Sequence, residues 1–369
     1  MELQLDTGKT YAIALEGGGA RGAYEIGVWQ ALDEAGIRYN AVSGTSVGAL
    51  NGALMAMRDL PRAIGIWSDI RLSSVLSVSA EEEQELHRLL RGDLGLNDVQ
   101  ELLPKLVDVI RSGGLDAAPL RAWVREVVDT EKIRRSDVEL FVSTVDLAEK
   151  KELEVRLNDL PADQIWDMLL ASSYHPAFRR EPLGGKFFAD GGFMDSIPIH
   201  VLVQHGYKDI IAVRLPSHGW ERRFRIPDDV NVITIQTTED LGTSLNFDAE
   251  QSRKNLAYGY FDAKRVLYGL YGRKYCIDRS FTDRFALDWL IRRETEAGEA
   301  NLRVICEKNL PKLARRLNVK EGDYYELMIA VLEELAAAQG VESMKLYCDA
   351  DLLRIVEAGE GPVILPKKQ

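Results

Sequence analysis

Apolar positions in the first sixty residues fall into short runs that change period at glycines. Residues 11–15 (YAIAL) are uninterruptedly apolar and stop at Gly17, Gly18 and Gly19, the pattern of a buried strand entering a loop. Residues 23–35 then place Ile26, Val28, Trp29 and Leu32 near helical spacing, and Gly36 ends the segment. Residues 40–43 read as a second strand. Residues 46–57 (SVGALNGALMAM) are apolar nearly all round, which predicts a buried helix. Strand, glycine loop, helix, strand, glycine turn, helix is the opening of an α/β domain with a parallel sheet.

The pattern turns helical from about 61 to 129, with Val99, Leu102, Leu103, Leu106 and Ile110 on one face. Strand signals return at 138–145, 152–157, 186–189, 210–215 and 230–236, with a helical segment at 162–172. After 249 the chain is mostly helical to about 339, and 348–356 fits neither period cleanly. The expected architecture is a three-layer α/β/α domain with a mostly parallel central sheet, followed by a helical C-terminal region. A division near residue 275, where the strand signals stop, gives domains 1–275 and 276–369. No Pro- or Gly-rich linker marks it.

Three glycine-flanked segments carry candidate chemistry. Gly44, Thr45, Ser46, Val47 and Gly48 fit G-x-S-x-G between a strand and a helix. In a nucleophile elbow that context exposes the serine on a sharp turn, at a helix N-terminus that favours developing negative charge. The same serine also reads as an ordinary helix N-cap. Gly17, Gly18, Gly19, Ala20, Arg21 and Gly22 follow the first strand. They suit a loop that turns backbone amides toward an oxyanion, with Arg21 holding the loop or meeting a phosphate. They equally match the dinucleotide-binding G-x-G-x-x-G, although that fingerprint wants an acid after the second strand, where Gly44-Thr45-Ser46 stands. Asp190, Gly191 and Gly192 place a carboxylate at a strand end, either within reach of Ser46 or as a plain Asp-Gly turn.

Composition narrows the partners. The chain of 369 residues is 46% hydrophobic and 28% charged, an ordinary globular balance. Its net charge of −12 argues against nucleic acid and against polybasic anchoring on anionic lipid, and leaves room for transient contact with a lipid surface. Three cysteines, Cys276, Cys306 and Cys348, lack metal-ligand spacing and read as free thiols of a reducing compartment. With no basic-plus-apolar leader and no apolar run of spanning length, the expectation is a soluble cytoplasmic protein.

As an ordered set, GGGARG, GTSVG and DGG resemble the patatin-like phospholipases, over roughly residues 8–215. The resemblance implies a serine acyl hydrolase acting on lipid or lysophospholipid esters, with no metal and no organic cofactor. It implies Ser46 as nucleophile and Asp190 as base in a dyad without histidine. Residues 17–22 would form or hold the oxyanion loop. Residues 171–176 (ASSYHP), followed by Phe178, are similar to the family's segment ahead of the aspartate. Two positions depart from the pattern: Glu16 precedes the glycines where a small residue or Asp is usual, and Ser196-Ile197-Pro198 stands in place of N-x-P.

The histidines keep one rival open. His200, His205 and His218 follow Asp190, the chain order of an α/β-hydrolase Ser-Asp-His triad, although that fold places its elbow after several strands. His175 reads as cavity-lining or structural, and His87 sits in an acidic helix after residues 81–85. A second rival is a non-catalytic phosphate- or nucleotide-binding module built on residues 17–22. The apolar face of 99–110 reads as core or as a lid over an acyl pocket.

Overall fold

The computed structural model describes residues 1–77, 114–175, 178–179, 181–216 and 219–359. The expectations for 81–85, His87, 99–110, Pro176 and His218 lie outside the described residues. The chain forms two compact units, one of residues 6–263 and one of residues 1–5 with 264 onward.

The larger unit is built on a seven-stranded sheet. Its strands are β1 (Thr10–Leu15), β2 (Arg38–Thr45), β3 (Glu139–Asp146), β4 (Lys151–Arg156), β5 (Phe188–Asp190), β6 (Asp209–Arg214) and β7 (Asn231–Gln236). The order is β4-β3-β2-β1-β6-β7, parallel from β3 to β7, with β4 and β5 both antiparallel to β3. The helices that matter to the site are α1 (Ala23–Glu34), α2 (Val47–Ala56), α3 (Leu60–Ser68), α4 (Ala118–Val127), α5 (Ala162–Ser172), α6 (Ile199–Gln204) and α7 (Ala249–Tyr268).

The alternation along β1 assigns the layers. Ala12 and Ala14 share a buried cluster with Ile199, Val201 and Leu202 of α6, while Leu15 meets α2 on the opposite face. The α2 helix is apolar all round because strand and helix neighbours enclose it; every residue from Val47 to Ala56 is buried. The fold is the mixed α/β architecture with a mostly parallel sheet expected from the sequence.

One register detail prepares the site. β2 pairs with β3 as far as Thr45 opposite Ser143, and there the chain leaves the sheet. β5 then takes the vacated edge of β3, with Asp190 opposite Thr144. Because β4 occupies the other edge along 141–146, β5 can only lie where β2 has stopped. Asp190 is thus delivered to the C-terminal end of β2, beside the first residue after it.

The smaller unit packs α8 (Asp283–Glu296), α9 (Tyr324–Ala338) and α10 (Asp349–Ala358) around Trp289, Met328, Leu332 and Leu352. It is not purely helical. Cys276–Asp278 (β8) and Leu346–Cys348 (β9) form a parallel pair, so strand structure continues past residue 275. These strands are three residues each, too short to set a period. The unclear stretch at 348–356 resolves into the end of β9 and the start of α10.

Candidate active site

Ser46 occupies the turn between β2 and α2 with φ 56° and ψ −123°. A positive φ on a residue with a Cβ costs on the order of 1–3 kcal/mol and persists only where surroundings enforce it. Here they do: a Cβ on Gly44 would stand 2.3 Å from the Gly48 carbonyl oxygen, and one on Gly48 would stand 2.6 Å from that of Leu15. Both glycines of G-x-S-x-G are therefore required by close approach. Ser46 holds the N-cap position of α2 without capping it by its side chain, which accepts no bond from the first turn. Its backbone amide donates to Ser172 Oγ at 2.9 Å, and Ser172 Oγ donates in turn to the Ser143 carbonyl at 2.7 Å. Ser172 thereby ties the elbow to β3. The sequence flagged its segment but not this role.

Asp190 faces Ser46 from the end of β5 and is buried. Burial pushes its carboxyl up to about 6, against smaller opposing pulls from the Ser46 hydroxyl and the Gly192 amide. That amide donates to Oδ1 at 2.9 Å, and the Asp190 amide is held by the Tyr174 carbonyl at 3.0 Å. No cation among the described residues helps to hold the charge, so the carboxylate is a stronger base than a solvated one.

The glycine loop runs alongside; a Cβ on Gly17 would lie 3.3 Å from that of Ser46. Several of its amides are already committed. Gly17 donates to the Ser196 carbonyl, Ala20 to that of Ser244, and Arg21 to that of Gly18. Among the described residues no acceptor takes the amides of Gly18 and Gly19. Gly19 has φ +60°, and a Cβ there would collide with the Ser244 carbonyl oxygen at 2.1 Å. Arg21 lines the cavity and also ties the loop down: its Nε donates to the Gly242 carbonyl and its guanidinium to that of Pro216, at 2.8 and 2.6 Å. It holds the loop.

Asn51, the one polar side chain between Ser46 and Met57, fastens the end of the loop. Its Nδ2 donates to the Gly22 carbonyl at 2.9 Å and to Glu25 Oε2 at 2.7 Å, and its Oδ1 accepts from Trp67 Nε1 at 2.9 Å. Burial drives the Glu25 carboxyl well above its ordinary value, against a smaller pull from the Asn51 amide. Both residues were missed in the sequence, although an asparagine inside an otherwise apolar helix was the available signal.

Ser46, Asp190, Gly18 and Gly19 open onto one cavity of about 440 Å³. Its walls are chiefly apolar, among them Leu50, Ile70, Val75, Leu120, Phe178 and Phe247. An apolar chamber with a few convergent polar groups at one side is the usual form of a small-molecule site.

The model of the patatin-like phospholipases matches residues 13–203, just over half of the chain. The chain belongs to the patatin-like phospholipase family. A patatin-like phospholipase domain-containing protein of Caenorhabditis elegans, ZK370.4, is 26% identical over 259 residues, covering 68% of this chain and 17% of that protein. The neuropathy target esterase sws of Drosophila melanogaster is 25% identical over 211 residues, 57% of this chain and 14% of that protein. The chain thus spans about a sixth or less of the length of these relatives. VipD from Legionella pneumophila aligns over 90% of this chain and 85% of its own at 15% identity, with a TM-score of 0.40.

The two departures from the patatin-like pattern turn out to be coupled. Ser196 Oγ donates to Glu16 Oε1 at 3.3 Å, and Glu16 Oε2 accepts the Leu215 amide at 2.7 Å. Glu16 is buried, with Arg214 Nε 3.7 Å away. It braces the start of the loop against β6 and the segment after Asp190, rather than lining the cavity.

The histidines take other posts. His175 lines the cavity, and desolvation pulls its imidazole below the ordinary value. His205 Nδ1 pairs with the Val201 carbonyl at 2.8 Å. His200 is buried between Asp195 and Glu154, each 2.7 Å from one ring nitrogen, and Arg222 bridges Glu154 and Glu152. Glu152, Glu154 and His200 have the composition of a metal site, but none lines the cavity and Arg222 already supplies a cation. Burial alone would lower the His200 pKa; its hydrogen bonds to Asp195 and Glu154 outweigh that and push it up to about 9.

A raised histidine contributes stability that is complete below its unfolded pKa and lost as pH rises through the folded one. Stability should therefore fall between about pH 6.5 and 9, by at most about 3 kcal/mol for this group. In His200→Gln the slope over that window should flatten, as measured by urea unfolding at stepped pH. An unchanged slope would mean that His200 is not the charged member of the cluster.

Proposed function

We propose that the chain is a serine acyl hydrolase that cleaves carboxylic esters of lipids, with Ser46 as nucleophile and Asp190 as general base. The observation that carries the reading is the strained Ser46 facing a buried Asp190 carboxylate, raised by desolvation, at the mouth of an apolar cavity. Such a cavity takes an acyl chain and leaves the ester at its polar side.

The chemistry follows from the geometry. Ser46 Oγ attacks the ester carbonyl as Asp190 takes its proton, and the oxyanion forms beside the amides of Gly18 and Gly19. Of residues 17–22, these two are the donors the reading assigns; Gly17, Ala20 and Arg21 hold the loop, and Gly22 leads into α1. Collapse expels the alcohol, which takes the proton from Asp190 and leaves Ser46 acylated. Water then attacks the acyl-enzyme, giving one proton to Asp190; collapse breaks the Ser46 Oγ–acyl bond, Ser46 Oγ takes that proton back, and the carboxylic acid leaves. Thr45, Val47, Gly191 and Gly192 shape the turns that carry the two reacting groups.

Asp190 meets Ser46 directly, which supports the dyad over a triad through His200 or His205. Family membership and the serine elbow support a hydrolase over a phosphate-binding module. The Drosophila relative carries the name of an esterase, which points the same way. The test is labelling with a fluorophosphonate, followed by peptide mapping and by release of fatty acid from phosphatidylcholine. The adduct is expected on Ser46 with fatty acid released; no labelling and no release would overturn the reading.

A further inference from the structure

Large apolar side chains are costly to leave in water, and three of those exposed in the larger unit gather at one place. Phe193 is 47% exposed, Met194 45% and Trp220 75%. Phe193 and Met194 follow directly on Asp190 and its two glycines. Two backbone bonds hold this turn to the Trp220 segment: Trp220 N donates to the Gly192 carbonyl at 3.2 Å, and Ser196 N to the Trp220 carbonyl at 2.6 Å. Phe193 and Trp220 also line the cavity. The exposed cluster is therefore the rim of the candidate active site, continuous with its apolar wall.

From this rim we propose that the protein docks on the surface of a zwitterionic phospholipid bilayer, with Trp220, Phe193 and Met194 entering the interface. The proposal rests on the lipid-ester reading of the site. A lipid acyl chain that leaves a bilayer for the cavity crosses apolar surface all the way when the rim is seated in the interface, and water otherwise. Tryptophan and phenylalanine suit that depth, with an apolar ring body and, for tryptophan, a polar edge. Charge decides which surface. Of the arginines around Trp220, three are paired: Arg214 with Glu221 at 2.7 Å, Arg222 with Glu152 and Glu154, and Arg225 with Asp228 at 3.7 Å; Arg223 is exposed and has no ion pair among the described residues. With a net charge of −12 on the chain, anionic headgroups repel rather than attract, and the contact is apolar.

The test uses the full chain carrying Ser46→Ala, so that binding is read without turnover. Co-flotation with phosphatidylcholine vesicles is expected, insensitive to salt and not increased by adding phosphatidylglycerol. Trp220 is the one largely exposed tryptophan of six, so its emission should shift to the blue and be quenched by brominated phosphatidylcholine. Trp220→Phe should remove most of that signal while flotation persists. Adding Phe193→Asp and Met194→Asp should weaken flotation by at least about tenfold, with the fold checked by circular dichroism. Absent flotation, flotation that needs phosphatidylglycerol and fails in salt, or flotation indifferent to the aspartates would each overturn the proposal. So would lipid-free self-association that the aspartates abolish, since a second copy would then cover the rim. Wild-type hydrolysis of a soluble ester without flotation would sink the docking and spare the catalytic reading; flotation without hydrolysis would do the reverse.

Discussion

Ser46→Ala should lower ester hydrolysis by at least about 10⁴-fold while leaving the protein folded, because it removes the attacking oxygen and little else. The backbone argument makes this a clean substitution. Alanine keeps the Cβ, so the positive φ of 56° carries the same strain before and after. The Ser46 amide still donates to Ser172 Oγ, and Gly44 and Gly48 still close the turn. A companion variant separates strain from chemistry. Ser46→Gly should be equally inactive yet more stable by about 1 kcal/mol, since glycine adopts positive φ without steric cost. The measurements are p-nitrophenyl ester turnover and urea unfolding of all three proteins. If Ser46→Ala retained turnover within about tenfold of wild type, the nucleophile would have to be another group.

How much of this was legible beforehand depended on how local the cause is. The path from β1 through the glycine loop, α1, β2 and the elbow to α2 could be read, because each boundary is set by a glycine or a change of period within a few residues. The serine elbow was readable for the same reason: Gly44, Gly48 and Ser46 constrain one another inside five positions. Asp190 could be nominated but not placed. What brings it to Ser46 is β5 taking over the edge of β3 that β2 leaves, a register relation among three strands distant in sequence.

The same holds for the loop. Composition said that amides in residues 17–22 could turn toward substrate. Which ones stay uncommitted depends on the carbonyls of Ser196 and Ser244, far down the chain. The pairing of Glu16 with Ser196 was visible only as two unrelated departures from a pattern. In the smaller unit, the boundary between β9 and α10 is set by Asp349, whose carboxylate gathers the amides of Ser280 and Phe281 and the Tyr325 hydroxyl. No periodicity records such a contact.

Asp190→Asn should move activity and stability in opposite directions, which a merely structural carboxylate does not do. Activity is expected to fall by at least about a hundredfold, since the amide cannot take the Ser46 proton. In the wild type, kcat/KM should rise with pH along a limb centred near 6, where the buried Asp190 loses its own proton. The stability sign follows from the same shift. A carboxyl whose folded pKa is raised adds stability that is complete below its unfolded value of 3.8 and is lost as pH rises through about 6. Ionised Asp190 is thus a burden on the folded state at neutral pH. Asparagine keeps an acceptor for the Gly192 amide without the charge, so the variant should gain up to about 3 kcal/mol at pH 8, and nothing below about pH 4. Asp349 is the internal contrast. Burial raises it too, but hydrogen bonds from Ser280, Phe281 and Tyr325 prevail and hold it below the ordinary carboxylate range, so neutralising it should destabilise. If Asp190→Asn behaved as expected of Asp349, losing stability at pH 8, the Asp190 charge would be a structural asset and its place as the base would have to be given up.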